Sequence, residues 1–288
     1  VKLFYICSCS QFFFCVFVTT DCLSQRGEHM KKLNRYIVLI FCVSLLNSTA
    51  VMSTTKLNIV TEFMPPLQLA KSGHQLEGKT AALVEAIIDD SELPHHINIF
   101  PWARSYLWAT TKPNVLIFPI IRTTEREQKF HWVGKVWSFS AQIYRLKSRR
   151  DIQVHSLEDA KNYIVSVYRD DFFHQFLLGR GFNANQLHAS SGIEQSVRLF
   201  LNGRTDLIII DESIFKYYLK QHQRSHSEVI SIVKLSDIRT NDAYIALSKG
   251  TSPAIINQIT QSYRRILTSE AFAADVKRRT LSSSASTQ

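Results

Sequence analysis

Cysteine is missing from most of this chain. All five cysteines lie before residue 50, and the last of them is Cys42. The sequence beyond that point therefore offers no disulfide framework, no cysteine-ligated metal and no cysteine nucleophile.

Motifs for several kinds of catalysis are also missing. The sequence contains no phosphate-binding glycine loop, no dinucleotide fingerprint and no Ser-His-Asp arrangement. Ten histidines are present, but His95, His96, His222 and His226 lie in polar, loop-like sequence without the spacing of metal ligands. We therefore expect no metal site and no cofactor.

Positive charge is plentiful but it is not concentrated. The formal net charge is +10, yet the lysines and arginines are scattered and form no long basic run. A solvated basic surface explains this distribution better than binding to nucleic acid does. We expect no nucleic-acid partner, and a hydrophobic content of 45% indicates a folded protein.

The pattern of residues 30–52 is typical of a secretory signal peptide. Three basic residues by position 35 precede an apolar run from Tyr36 to Leu46, and small residues follow at 48–50. The apolar run is short for a membrane anchor, which is the alternative. Cys42 follows Phe41 rather than a small residue, so it does not resemble a lipoprotein cleavage box. We expect cleavage near residues 50–53 and a free, secreted product.

Residues 1–29 place a second apolar, Cys- and Phe-rich run in front of that complete signal peptide. We interpret them as an upstream extension that is not normally translated, with Met30 as the true start. The Ser-rich end of the chain, residues 282–288, is expected to be disordered.

Short apolar strands alternate with helices through the first part of the body. The hydrophobic pattern predicts strands at 57–61, 97–100 and 115–120 and helices at 79–90 and 103–110. Alternation of this kind is typical of a parallel sheet covered by helices. We assign residues 56–140 to a first lobe.

A second set of the same kind follows. We predict strands at 163–167 and 207–210 and helices at 171–178 and 193–201, and we assign residues 141–243 to a second lobe. An extended stretch at 139–146 connects the two sets. A strand at 244–247 and a helix after Ser252-Pro253 return the chain, over residues 244–281, to the first lobe. The predicted fold is α/β, with two lobes and two hinge crossings.

Two α/β lobes imply a cleft in which ligands meet the carboxyl ends of the strands. Arg126 follows the strand at 115–120, and Thr124 and Glu127 have the spacing of a capping box, which places the arginine in the first turn of a helix. A guanidinium there can bind a carboxylate through two parallel hydrogen bonds. The alternative is an exposed arginine at a helix start.

Asp211 ends the apolar strand of the second lobe. A carboxylate at that position needs a partner, and a ligand ammonium group is one candidate. The alternative is the N-cap of the helix that begins near Ser213. Together, Arg126 and Asp211 would recognise a zwitterion across the cleft.

Other candidate ligand contacts follow the remaining strands. Glu62 and Met64 come after the first strand, Trp102 and Arg104 after the second, and the turn at 168–171 after the first strand of the second lobe. Trp102 is placed to stack on a ligand or, alternatively, to pack under a loop, and Arg104 is a second anion contact. From the turn, Tyr168 and Arg169 are expected to face the cleft, while one of its two aspartates caps the next helix.

Several of these segments resemble the bacterial extracellular solute-binding protein family 3, which includes periplasmic receptors for polar amino acids. The resemblance covers roughly residues 56–280. It is carried by the Pro65-Pro66 turn, TTERE at 123–127, FHWVG at 130–134, GRTD at 203–206 and Asp211-Glu212.

The resemblance implies a periplasmic-binding fold of the second type that closes around its ligand. It implies that Arg126 binds the ligand carboxylate and that Asp211 binds the ammonium group. Three positions depart from the family pattern. Met64 stands near an aromatic position, and Ile121, which is also expected to contact the ligand, replaces a hydroxyl residue. The turn at 168–171 replaces a Gly-Thr-Thr-like turn that offers backbone amides to the carboxylate.

On these grounds we expect a monomeric periplasmic binding protein, not an enzyme, that delivers a small polar ligand, an amino acid, to an ABC permease. One alternative is a sensor that reports its ligand to a membrane kinase or cyclase. Another is a dehydratase on the same fold, for which Glu62 is the one candidate acid or base.

Overall fold

The computed structural model describes residues 56–70, 76–235 and 242–270. The expected upstream extension, signal peptide and disordered tail lie outside these residues. Within the described ranges, no helix has both the length and the apolar character needed to cross a membrane.

The first sheet and its helices come mostly from the first part of the body. In chain order the elements are β1 (Leu57–Thr61), the short β2 (Leu69–Ala70) and β3 (Leu76–Glu77), α1 (Lys79–Ser91), β4 (His95–Ile99), α2 (Trp102–Thr111), β5 (Val115–Ile121), α3 (Thr124–Glu127) and β6 (Phe130–Ser138).

The second part of the chain repeats this alternation of strands and helices. Its elements are β7 (Ala141–Leu146), β8 (Val165–Tyr168), α4 (Phe172–Gly179), β9 (Leu187–Ser190), α5 (Ile193–Leu201), β10 (Leu207–Asp211), α6 (Glu212–Gln221), β11 (Val229–Lys234), β12 (Asp242–Ser248) and α7 (Pro253–Thr268). Three short 3-10 turns lie at Asp159–Asn162, Ala184–Gln186 and His226–Glu228.

The two five-stranded sheets have the same topology. The first has the order β4-β1-β5-β12-β6 and the second the order β9-β8-β10-β7-β11. In each sheet three neighbouring strands are parallel, and the fourth strand is antiparallel to both of its neighbours. That fourth strand is the one that enters from the other half of the chain. This arrangement confirms the predicted α/β fold of two lobes joined by two crossings.

Burial explains why the central strands form where they do. All seven residues of β5 and all five residues of β10 are buried, as expected for strands covered by helices on both faces. The apolar core of the second lobe continues into the first lobe through Met64, Leu67 and Ile121. The two lobes are therefore in direct apolar contact.

Some element boundaries differ from the predicted ones. The strand predicted at 97–100 begins at His95 because both histidines pair in register with β1. The strand predicted at 163–167 begins at Val165, since Tyr163 instead closes the 3-10 turn before it. Strands β6, β9 and β11 were not predicted from the hydrophobic pattern. All three lie at sheet edges, and all three mix polar with apolar residues.

Candidate functional site

A cleft of about 650 Å³, part of it open to solvent, lies between the lobes at the carboxyl ends of the parallel strands. Its walls are mainly apolar. They come from the strand ends of both lobes, from the first turns of α4, α5 and α6 and from the crossing between the sheets: Met64, Pro119, Ile121, Phe139, Phe172, Phe173, Ile193, Ile208, Ile209, Ile210 and Ile214. Polar groups are few, and they are concentrated at the strand ends.

Seven of the nine residues expected to contact a ligand line this cleft. They are Glu62, Met64, Trp102, Ile121, Arg126, Tyr168 and Asp211. The rule that ligands meet the carboxyl ends of parallel strands therefore located the cleft lining.

The two other expected contacts, Arg104 and Arg169, lie outside the cleft. Arg104 is exposed on the outer face of α2, where its guanidinium carbon stacks 4.0 Å from the centre of the Phe100 ring. Arg169 is also exposed, and its Nη2 donates a hydrogen bond to the Ala189 carbonyl at 3.0 Å. Arg104 lies two residues after Trp102 in α2, so its side chain points away from the cleft. Arg169 is held at the outer edge of its sheet.

Arg126 is a buried cation in the first-lobe wall, 9% exposed. Its Nη1 donates to the Ile121 carbonyl at 3.0 Å, and its guanidinium carbon lies 5.2 Å from the ring centres of both Trp102 and Tyr106. Burial lowers the pKa of the guanidinium, which nevertheless stays charged. Among the described residues, no carboxylate lies within salt-bridge distance of Arg126. Its remaining N–H donors can therefore bind an anion.

The predicted capping box around Arg126 does not form. The N-cap of α3 is Thr123 and makes no side-chain cap hydrogen bond. Glu127 instead pairs with Arg122, whose Nε donates to Oε2 at 2.7 Å. A bidentate ion pair with a neighbouring arginine satisfies this glutamate better than a single backbone amide would.

Glu62 follows β1 directly and is 5% exposed. Its Oε2 atom has no hydrogen-bond partner among the described residues. Burial first, and the charge of Asp171 second, raise the pKa of the Glu62 carboxyl to about 8, although Tyr168 and Arg126 act in the opposite direction. At neutral pH this carboxyl is mostly protonated in the ligand-free protein.

Asp171 is a cleft residue that the sequence reasoning treated only as a possible helix cap. It is the N-cap of α4, and its Oδ1 accepts a hydrogen bond from the His174 amide at 2.7 Å. The residue is partly exposed and lines the cleft. Burial raises the pKa of that carboxyl to about 7, against the lowering effect of the His174 amide and of Arg126. Its position at the end of a strand was the signal that could have identified it.

Asp211 is buried and fully engaged as a helix cap, which was the alternative interpretation. Oδ1 accepts from the amides of Ser213 at 2.8 Å and Ile214 at 3.3 Å, and Oδ2 accepts from the amide of Ser140 at 2.7 Å. Because Ser140 lies in the crossing between β6 and β7, this carboxylate also connects that crossing to the second lobe. Both oxygens already have partners, so Asp211 has less need of a ligand cation than predicted.

Trp102 forms a direct bridge between the lobes. Its amide donates to the Tyr168 hydroxyl at 3.1 Å, and its indole Nε1–H donates to the Asp170 carbonyl at 2.9 Å. Trp102 belongs to α2 of the first lobe, whereas both acceptors belong to the turn at 168–171 of the second. The tryptophan therefore packs under the turn, which was the alternative considered for it, and it also lines the cleft, where stacking on a ligand stays a prediction.

The backbone amides of that turn are used within the second lobe. The Arg169 amide donates to the Ser190 carbonyl at 2.9 Å, the Asp170 amide to His174 Nδ1 at 3.1 Å, and the Asp171 amide to the Tyr168 carbonyl at 3.4 Å. None of these three amides is available in this structure for a ligand carboxylate. Arg126 is therefore the main group in the described cleft that can hold an anion.

The fold places the chain among two-lobed, periplasmic-binding-protein-like structures. A histidine kinase sensor domain with similarity to periplasmic binding proteins aligns with 13% identity and a TM-score of 0.67, over 78% of this chain and 95% of that one. An ancestral arginine-binding protein bound to arginine aligns with 16% identity and a TM-score of 0.64, over 78% and 97% of the two chains.

A third similar structure is ArtJ, an arginine-, lysine- and histidine-binding protein from Geobacillus stearothermophilus. It has 15% identity and a TM-score of 0.64, over 77% of this chain and 94% of that one. No family model matches the chain, and no curated protein matches its sequence. At these identities the likeness establishes the fold.

Proposed function

We propose that this protein captures a small ligand carrying a carboxylate group, an amino acid, between its two lobes. The observation that carries the proposal is Arg126, a buried guanidinium in the cleft with no carboxylate partner among the described residues. Burying a charge without a direct ion pair is costly, and a hydrogen-bonded ligand carboxylate would reduce that cost. The amino-acid-binding proteins among the similar structures support the same ligand class.

The setting we propose is that of an extracellular solute-binding protein of family 3. The protein would be secreted to the periplasm by the signal peptide at 30–52, act as a monomer and deliver its ligand to an ABC permease. The lobes, corresponding to residues 56–140 with 244–281 and to residues 141–243, would close by motion at the crossings. The sequence motifs and the sheet topology support this assignment.

A thermal-shift screen of the purified protein against the standard amino acids tests the ligand class. We expect at least one of them, at millimolar concentration, to raise the melting temperature. Arg126→Met should abolish the response, because it removes the charge while keeping an unbranched side chain. Arg104→Met is the matched control, since Arg104 is exposed outside the cleft and its loss should leave the response intact. A response that survives in the Arg126 variant would contradict the proposal.

Sensing is the second candidate role, and the similarity to a histidine kinase sensor domain favours it. The same cleft would then report ligand occupancy to a membrane kinase or cyclase. Cross-linking the ligand-loaded protein in native membranes distinguishes the two roles, since a permease should be captured for import and a signalling protein for sensing.

An enzymatic role is the third candidate, and Glu62 is the observation that favours it. A buried carboxyl with a pKa raised to about 8 resembles the general acids and bases of catalytic sites. A dehydratase of the cyclohexadienyl type would turn over prephenate or arogenate and would lose activity in Glu62→Gln. Absence of turnover with both substrates would remove this candidate.

A further inference from the structure

The cleft holds more acidic groups than its single described guanidinium can balance. Glu62, Asp171 and Asp211 line it together with Arg126. The Asp211 carboxylate is satisfied by three backbone amides. Glu62 and Asp171 remain. Asp171 accepts a cap hydrogen bond from the His174 amide through Oδ1, whereas the Oε2 atom of Glu62 has no hydrogen-bond partner among the described residues although the residue is 5% exposed. A buried polar atom of this kind favours a partner supplied by a ligand.

The two remaining carboxyls come from opposite lobes. Glu62 follows β1 of the first lobe, and Asp171 begins α4 of the second. The groups are close enough that the charge of Asp171 raises the pKa of Glu62 and that Arg126 lowers the pKa of both. A cation placed between them would remove their repulsion and would connect the two lobes directly.

We propose that Glu62 and Asp171 together form a binding site for the cationic group of the ligand, an ammonium or a guanidinium, in the place that the family resemblance gives to Asp211. This inference rests on the proposed ligand-binding function and adds the charge of the ligand to it. The ligand then carries its carboxylate at Arg126 and its cation between the lobes.

In the ligand-free protein, Glu62 and Asp171 bind protons instead of a ligand cation. Burial raises the pKa of Glu62 to about 8 and that of Asp171 to about 7, so at pH 6 both carboxyls are mostly protonated. A cation binds the ionised forms and displaces protons, and its affinity must therefore rise with pH until both groups are ionised.

Other titratable or charged groups also surround Glu62 and Asp171, but they do not account for the expected rise of cation affinity with pH. Around Glu62 they are Arg126, the Tyr168 hydroxyl and Tyr218, and around Asp171 they are Arg126, Asp170 and His174. Burial lowers the pKa of the His174 ring, which favours the neutral ring over an imidazolium cation beside the pair.

Calorimetric titration with probes of defined charge tests the inference. The cationic probes are L-arginine, L-lysine, L-ornithine, agmatine and putrescine, and pentanoate is the probe that carries only a carboxylate. We expect at least one cationic probe to bind, with an affinity that rises about tenfold or more between pH 6 and pH 8. Glu62→Gln and Asp171→Asn should each weaken that probe about tenfold or more and should remove most of the pH dependence.

Asp89→Asn is the matched control, because Asp89 is exposed on α1 and does not line the cleft, and its replacement should leave affinity within about twofold. Asparagine can still cap α4, so the Asp171 variant should fold, and circular dichroism checks this. Pentanoate has no cation, so any binding of it should need Arg126 and should not be weakened in the two acid variants. A cationic probe or a neutral amino acid, which also carries an ammonium group, would overturn the cation site and leave the proposed function standing if its binding needs Arg126 but is unchanged in both acid variants. Failure of every cationic probe to bind would also overturn the cation site. Failure of all carboxylates as well would remove the proposed function with it.

Discussion

Replacing Glu62 by glutamine should stabilise the ligand-free protein at neutral pH. In the unfolded chain this carboxyl has its ordinary pKa of 4.5, whereas in the folded protein the pKa is raised to about 8. Between those values the folded state binds more protons than the unfolded state, so stability falls as pH rises, and above pH 8 the loss is complete.

The size of the effect follows from the two pKa values. At pH 7 the cost of keeping Glu62 protonated in the folded protein is about 3 kcal/mol, at roughly 1.4 kcal/mol for each pH unit above 4.5. Glutamine has nearly the same shape and does not titrate, but its amide group needs partners of its own, which costs about 1 kcal/mol. We therefore expect Glu62→Gln to gain about 2 kcal/mol at pH 7 and almost nothing at pH 5.

Urea denaturation of the ligand-free wild type and variant at pH 5, 6, 7 and 8 measures this difference. Glu194→Gln is the control, because Glu194 is exposed at the start of α5 and its replacement should change stability by less than about 0.5 kcal/mol at every pH. The stability curves of wild type and Glu62→Gln should diverge as the pH rises. Parallel curves would show that Glu62 is not held protonated by burial in the ligand-free protein.

Three further predictions concern the parts of the fold that frame the cleft. Trp102→Phe removes the indole hydrogen bond to the Asp170 carbonyl, so it should lower the free energy of unfolding by about 1 kcal/mol and speed hydrogen–deuterium exchange in the turn at 168–171. Unchanged exchange would contradict the bridge between the lobes. Gly134→Ala should cost about 2 kcal/mol in urea denaturation, because a Cβ there would lie 2.0 Å from Cζ of Tyr263, and adding Tyr263→Ala should recover part of the loss if this contact is the cause. Asp211→Ala should cost about 2 kcal/mol through loss of the helix cap, whereas a purely ligand-binding aspartate would leave the stability of the empty protein unchanged.

The sequence predicted the central elements of the fold well because their burial is visible in the residues themselves. Strand β10 is a continuous apolar run, and α5 carries its buried residues at helical spacing, so both were placed nearly at their observed bounds. Strand β6 has one neighbouring strand in its sheet, and its sequence contains Gly134 and Lys135, which do not favour a strand. Its formation depends on pairing with β12, more than 100 residues later in the chain, and no local pattern shows that contact.

The cleft was predictable in position but not in chemistry. Placing candidates after the strands found most of its polar lining, including Glu62 and Arg126. Local sequence could not decide which aspartate is free for a ligand, because Asp171 and Asp211 both follow a strand and both cap a helix. The difference between them is the amide of Ser140, which reaches Asp211 from the crossing between the sheets, 71 residues away in sequence.

A crystal structure of the protein with the amino acid that gives the largest thermal shift would show whether Arg126 holds the ligand. We predict that the ligand lies between the lobes, with its carboxylate about 3 Å from the guanidinium nitrogens of Arg126. A ligand bound elsewhere, or one in the cleft whose carboxylate does not contact Arg126, would contradict it.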